Sequence, residues 1–364
     1  MGSKRRRSSS SLPILPFELI TEILSRLPVK FLLQFRCVCK SWKSLISNPK
    51  FTKKHLTLSP THTIHCTSHS HKRVLLNSYS IDSVLTNTTK TKVRSSNSNI
   101  FFVGSCNGIL TIALAREGID YAMVQLWNPS IRKFKELPPV SDSEIFQMLH
   151  GFGYDPISDN YKVVVVFGYL DREDSIDNDF SLNEVKVLTL GGTDSWKSVS
   201  KFPFAIQSFQ RSGQYVSGTI NWSVSMGTER FIASFNLGNE CYQKIDLPDD
   251  LGKVDDCKSH LTVFKDCLCM ISGENVWVMK ECGNKESWTK LFTISCMRDP
   301  FASSYPGIKG IHVFEDEQVL LVYSGTGNKR FGHISYNHKN DTSKLIELED
   351  IPGVCVESLI SPCF

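Results

Sequence analysis

LWNPSIRKFKELPP, residues 126–139, reads as a strand, a turn, an aromatic and a second short strand that ends at Leu-Pro. The same plan recurs in LTLGGTDSWKSVSKFP (188–203), FNLGNECYQKIDLP (235–248) and VMKECGNKESWTKLF (278–292). The aromatics Phe134, Trp196, Tyr242 and Trp288 fall 62, 46 and 46 residues apart (196 − 134, 242 − 196, 288 − 242). A second half-unit alternates with this one. It is a tight hairpin between hydrophobic runs, at Asn107-Gly108, Asp159-Asn160, Gly218-Thr219, Lys265-Asp266 and Asp316-Glu317. One such pair of half-units spans about fifty residues, the length of a four-stranded propeller blade.

Five units are recognisable, and a sixth can be completed by residues 62–97 together with a strand near Val354 to Ile360. Between the turns lie β-type runs such as GILTIALA (108–115), YKVVVVFGY (161–169), RFIASFNL (230–237), LTVFKDCLCMI (261–271) and QVLLVYSG (318–325). No long helical period interrupts them, so the body is expected to be all antiparallel β. The expected fold is a helical N-terminus followed by an antiparallel β-propeller-like body, kelch-like in blade length and of about six blades. A β-sandwich or irregular barrel is the alternative, because the double glycine and spaced Tyr/Trp of true kelch repeats are absent.

Upstream, the texture is helical. Leu19, Ile20, Ile23, Leu24 and Leu27 mark one helix face, with Pro16 in its first turn and Arg26 in its last. Pro28 ends that helix and opens a second through Phe31, Leu32, Leu33 and Phe35. Val38, Trp42, Leu45 and Ile46 form a third face, which Asn48-Pro49 stops. Three helices in about forty residues cannot bury this much apolar surface alone, so they cap the rest of the chain or bind a partner. Residues 61–100 are turn-rich: Ser, Thr, Asn and His fill 23 of 40 positions, which reads as a linker with one possible strand. The resulting division is a basic tail (1–11), a helical module (12–55), a linker (56–100) and the β-body (101–364).

Charge follows the same division. The first 60 residues hold 12 Lys+Arg against Glu18 and Glu22, and the remaining 304 hold 29 against 35 acids, giving +10 and −6. Such asymmetry marks a basic module for an acidic partner or nucleic acid. The longest apolar stretch is far short of a membrane span, and the N-terminus lacks a signal-peptide pattern. Twelve Cys in a chain without that signal point to a reducing compartment, cytoplasm and/or nucleus. Lys4, Arg5, Arg6 and Arg7 read either as a nuclear-import signal or as a solvated tail.

No constellation carries catalysis. Gly104-Ser105-Cys106-Asn107-Gly108 fits a cysteine nucleophile elbow, but a β-type run follows it and a hairpin turn is the better reading. Cys257, Cys267, Cys269 and Cys282 lack paired zinc-knuckle spacing, as do His62, His65, Cys66, His69 and His71. Cys267 and Cys269, two apart on a strand, are expected to face one side. The acids Asp171, Glu173, Asp174, Asp177 and Asp179 do not match a calcium loop and read as an acidic surface loop. The expectation is therefore no cofactor, no metal, no membrane and no direct contact to nucleic acid.

LPFELITEILSRLPVKFLLQFRCVCKSWKSLISNPKF (15–51) resembles the plant F-box almost throughout. The resemblance implies a helical module that docks on a Skp-type adaptor, and through it on the cullin and RING subunits of an SCF ubiquitin ligase. Adaptors of this type are acidic proteins. Carried over by position, the implied adaptor contacts are Leu15, Pro16, Leu19, Ile20, Ile23, Leu24, Leu27, Pro28, Leu32, Val38, Cys39 and Trp42; some of them must instead form the module's own core. Phe17 and Phe31 stand where many relatives carry polar residues, and no role is expected for them. GSCNGIL (104–110), LWNPSIRKFKELP (126–138), GFGYDPISDNYKVV (151–164), SGTINW (217–222), IASFNL (232–237) with the following Leu-Pro, and WVMKECGNKESWTKLF (277–292) resemble the type-one plant F-box-associated domain, over about 260 residues. Together the two resemblances imply a non-catalytic subunit that recruits a target protein for ubiquitination and proteasomal degradation. A glycan- or small-ligand-binding propeller is the second expectation, and an exposed aromatic cluster at one propeller mouth would favour it.

Overall fold

A computed structural model describes residues 15–363 except 59–61, 71–72, 81–94, 97, 117–121, 140–144, 170–181, 193–194, 205–209, 227–228, 249–250, 252–258, 295–307, 314–317, 325–330, 338 and 347–352. The body is a ring of six four-stranded antiparallel sheets. Blade two is β4 (Ser98–Cys106), β5 (Ile109–Arg116), β6 (Ala122–Asn128) and β7 (Lys133–Glu136). Blade three is β8 (Ile145–Asp155), β9 (Asn160–Tyr169), β10 (Leu182–Thr189) and β11 (Lys197–Ser198). Blade four is β12 (Gln214–Val216), β13 (Thr219–Met226), β14 (Glu229–Asn236) and β15 (Tyr242–Asp246). Blade five is β16 (Ser259–Phe264), β17 (Cys267–Ser272), β18 (Asn275–Met279) and β19 (Trp288–Thr293). Blade six is β20 (Ile308–Val313), β21 (Gln318–Ser324), β22 (Phe331–Asn337) and β23 (Thr342–Ile346).

Blade one closes the ring. It joins β1 (His62–Ser70), β2 (Arg73–Ser80) and β3 (Ser95–Ser96) to β24 (Gly353–Val356), which pairs antiparallel with β1 from His62↔Val356 to His65↔Gly353. The innermost strand of this blade thus comes from the far end of the chain, so one sheet holds both ends of the β-body together. Residues 62–97 were expected both to be a turn-rich linker with one possible strand and to complete a sixth unit with the strand near Val354; they supply three strands of that unit. Their Ser, Thr and His content reads as loop locally, but pairing with β24 supplies the context that β structure needs.

The turns account for much of the repeat. Asn107-Gly108, Ser217-Gly218 and Lys265-Asp266 each hold two successive residues at positive φ, the type I′ geometry that matches strand twist. The blade-four turn is one residue earlier than Gly218-Thr219, because Val216 pairs with Thr219. Asp159 closes a four-residue turn between Asp155 and Asn160 rather than a two-residue one, and Asp316-Glu317 lies outside the described residues. The connections before the outer strands share another device. Asn128, Asn236 and Asn337 each accept the backbone N–H two residues on at 2.9 Å, and Arg132, Glu240 and Asp341, four residues on, take positive φ. Phe134 lies in outer strand β7, Tyr242 and Trp288 open β15 and β19, and Trp196 immediately precedes β11.

The core lies between blades rather than at one centre. Val164, Val166, Val185 and Val187 of blade three pack on Ile220, Trp222, Phe231 and Phe235 of blade four, all essentially without exposed surface. The Trp222 indole N–H donates to the His150 carbonyl at 3.0 Å, so this largest buried side chain also links blades four and three. Cys106 and Cys269 are buried thiols, and burial pushes Cys269 up to about 12. Cys267 and Cys269 pack into one cluster, Cys106 ends β4 at its hairpin, and neither arrangement presents a nucleophile.

The N-terminal module has four helices where three were expected: α1 (Phe17–Leu24), α2 (Val29–Phe35), α3 (Lys40–Ile46) and α4 (Pro49–Leu58). Asn48-Pro49 ends one helix and begins the next, since the Asn48 side chain accepts the Lys50 N–H at 2.8 Å and Pro49 fills the first helical position. The first helix stops at Leu24, so Arg26 lies past its last turn and bonds Glu22 at 2.7 Å and 3.0 Å. Among the described residues no helix is long and apolar enough to cross a membrane.

Candidate functional site

The sequence placed twelve side chains of the helical module at an expected partner surface, and the fold divides them. Leu24 and Leu32 are buried, and with Val29, Ile46 and Phe51 they form the module's own core. Ile20, Leu27 and Trp42 are half-buried against that core, Trp42 edge-on to Phe35 at 5.5 Å. Leu15, Pro16, Leu19, Ile23, Pro28, Val38 and Cys39 are exposed. Leu15, Leu19 and Ile23 lie four apart and form one stripe of α1 and its approach. Phe17 and Phe31, for which no role was expected, are exposed as well. Six large apolar side chains of this module (Leu15, Phe17, Leu19, Ile23, Phe31 and Val38) stand 46% to 62% exposed within twenty-four residues. Scattered exposed apolar residues are ordinary, but a cluster of this density marks a protein interface.

The electrostatics suit an acidic partner. Lys30, Lys40, Lys43 and Lys50 are exposed on the same helices. The acid Glu22 is already committed: Lys54 at 2.6 Å and Arg26 hold its carboxyl below the ordinary Glu range. Cys39 opens α3, where the Ser41 hydroxyl and the backbone N–H groups of Trp42 and Ser41 lower its thiol from the ordinary cysteine value.

The module is seated on the propeller. Its core cluster takes in Leu359 and Ile131 from the body, while Leu56 of α4 packs into the core between blades two and three. Lys53 of α4 binds Asp159 and reaches the Tyr154 hydroxyl at 3.4 Å, and each charge of that pair favours the other's ionised form. Nearby, the Tyr215 hydroxyl donates to the Tyr154 carbonyl at 2.9 Å, and the Asn107 amide donates to the Tyr161 hydroxyl at 3.0 Å. These tyrosines therefore join neighbouring blades. Of the remaining candidate groups, the acids of 171–179, Cys257 and Lys4–Arg7 lie outside the described residues. His62, His65, Cys66 and His69 fall on β1, where only the backbone is described.

Comparison with known proteins agrees with this division. The F-box domain family matches residues 12–54, and the F-box associated beta propeller domain family matches residues 52–358. The matching associated-domain family is numbered three, where the sequence resemblance had pointed to type one. An Arabidopsis thaliana F-box/kelch-repeat protein, At3g23880, is 31% identical over 78% of this chain and 80% of its own length. The F-box protein CPR1 of the same plant is 29% identical over 80% and 75%, and F-box protein At4g19940 is 25% identical over 96% and 90%. The chain belongs to the family of plant F-box proteins that carry an F-box associated β-propeller.

Proposed function

We propose that this protein is the substrate-recognition subunit of an SCF-type ubiquitin ligase, with the F-box holding a Skp-type adaptor and the propeller holding a target protein that is thereby marked for proteasomal degradation. The observation that carries this reading is the run of exposed apolar side chains Leu15, Phe17, Leu19, Ile23, Phe31 and Val38, with Leu15, Leu19 and Ile23 in one stripe, set among exposed lysines on a module whose own core is already filled. An acidic adaptor with an apolar groove complements it on both counts. The protein's part in the reaction is non-catalytic. Holding a target beside the charged conjugating enzyme raises the effective concentration of a target lysine at the thioester. Cytoplasm and nucleus are the compartments in which this subunit would act.

Binding of a Skp-type adaptor by calorimetry tests the proposal. Wild type should bind, and the double variant Leu19→Asp/Ile23→Asp should lose on the order of 100-fold in affinity while keeping its melting temperature, since both side chains are half exposed in the free protein. Wild type that does not bind, or a double variant that binds unchanged, overturns it.

A further inference from the structure

The four residues after β24 lie between the two bodies, and their side chains alternate. Glu357 and Leu359 turn toward the F-box: the Glu357 carboxyl lies by the Val29 backbone N–H and His55, and Leu359 is buried in the F-box core. Ser358 and Ile360 turn toward the propeller: Ser358 has no exposed surface, and Ile360 packs with Leu126, Phe152 and Val163 between blades two and three. Alternation with period two is what an extended segment gives, so one short ribbon presents a different face to each body.

Both faces are specifically held. Helix α2 opens at Pro28, which supplies no side-chain cap, and the Glu357 carboxyl from across the chain lies by its first N–H, while Leu359 is buried in the F-box core. On the other side Asn128 is buried and does two jobs. Its Oδ1 accepts Ser130 N–H, as the equivalent Asn236 and Asn337 do in their own turns. Its Nδ2 donates to the Ser358 carbonyl at 3.0 Å, the Ser358 hydroxyl at 3.2 Å and the Ile360 carbonyl at 2.7 Å. Ser130 adds a bond to the Ser358 N–H at 3.2 Å. The Gly108 turn makes room for this, because a Cβ there would sit 2.5 Å from the Ser358 Cβ.

We propose that Glu357–Ile360 is a positioning strap: it sets the orientation of the adaptor-binding helices relative to the propeller, with Asn128 and Leu359 as its positioning residues. The same chain end that closes the ring thereby fixes how far, and in which direction, a propeller-bound target stands from the adaptor. That use rests on the receptor reading above, but the orientation itself does not.

The test uses the full chain with spin labels on non-canonical side chains at exposed Gln34 of α2 and Lys290 of β19. Pulsed electron resonance should give one narrow distance distribution in wild type. Leu359→Ser and Asn128→Ala should each broaden it at least twofold, at temperatures where circular dichroism shows both bodies folded, with Asn128→Ala keeping adaptor affinity within twofold of wild type. A merely structural contribution would lower the melting temperature without broadening the distribution below it. An unchanged distribution in both variants, or in Asn128→Ala alone should Leu359→Ser fail to fold, overturns the proposal. Loss of adaptor binding by wild type would instead overturn the receptor reading and leave the distance measurement standing.

Discussion

In the F-box, Leu19 and Ile23 of α1 are half exposed while Leu24 of the same helix and Leu32 of α2 are fully covered. In blade four, Trp222, Phe231 and Phe235 are all covered. The propeller spends its large apolar side chains on joining one blade to the next. The F-box turns roughly half of its own outward and completes its core with Leu359 and Ile131 from its neighbour. A forty-residue helical module has too little interior to be stable alone, so exposing a binding face requires borrowed packing. The difference shows why the two parts come as one body: the propeller's surplus of buried contacts lets the smaller module remain unsaturated.

Single substitutions can break this contrast. The largest effect is expected from Trp222→Ala, which empties a fully packed inter-blade site and removes one of the two N–H donors to the His150 carbonyl, leaving Gly213 as the other. It should cost about 3–5 kcal/mol in urea unfolding, whereas Leu19→Ala should stay within about 0.5 kcal/mol. A Leu19→Ala loss as large as that of Trp222→Ala would put Leu19 in a core and erase the distinction. An intermediate effect sharpens the role of the borrowed contacts. Asn128→Ala removes a buried amide that serves three acceptors and should cost about 1–3 kcal/mol, with the half-buried turn residue Asn236→Ala costing visibly less in the same assay.

The smallest effect concerns pH. Burial raises the Glu357 carboxyl above its ordinary value, against the pull of the Val29 N–H and of nearby His55. A raised carboxyl pKa means the folded protein holds the proton more tightly than the unfolded chain does. Its cost to stability is therefore absent below the unfolded value near 4.5 and fully present above the folded one. Glu357→Gln keeps an acceptor for Val29, so it should raise the melting temperature modestly at pH 7 and leave it unchanged at pH 4. A drop at pH 7 would show that the charge itself holds the F-box in place.

Helix and strand identity was largely legible in the chain, and the reason is local. The spacing of Leu19, Ile20, Ile23, Leu24 and Leu27 permits only a helix, and the runs beside Asn107-Gly108 and Lys265-Asp266 permit only hairpins. What could not be read was which apolar stripe faces inward. Leu19 with Ile23 and Ile20 with Leu24 are equally hydrophobic, and a partner surface and a core surface obey the same pattern. Phe17 and Phe31 were set aside because their residue type seemed out of place, although a large apolar residue on an exposed helix is itself the signal for an interface. Blade one was legible only in outline, as a sixth unit made of residues 62–97 and a strand near Val354 to Ile360; its individual strands were not, for the complementary reason. HTIHCTSHS carries little strand propensity, and the partner that makes it a strand lies almost three hundred residues away. Asn48-Pro49 was read as a stop alone, though the pair also begins α4.

The reach of Leu359 into the F-box core orders events during synthesis. The helices leave the ribosome first, but the side chain that completes their core follows Phe51 by 308 positions (359 − 51). At ~5–20 residues per second that delay is roughly 15 to 60 s. A nascent or truncated copy presents the helices without their last packing partner and with the ring unclosed, so the helical module gains its full core only when the last strand of the propeller is in place.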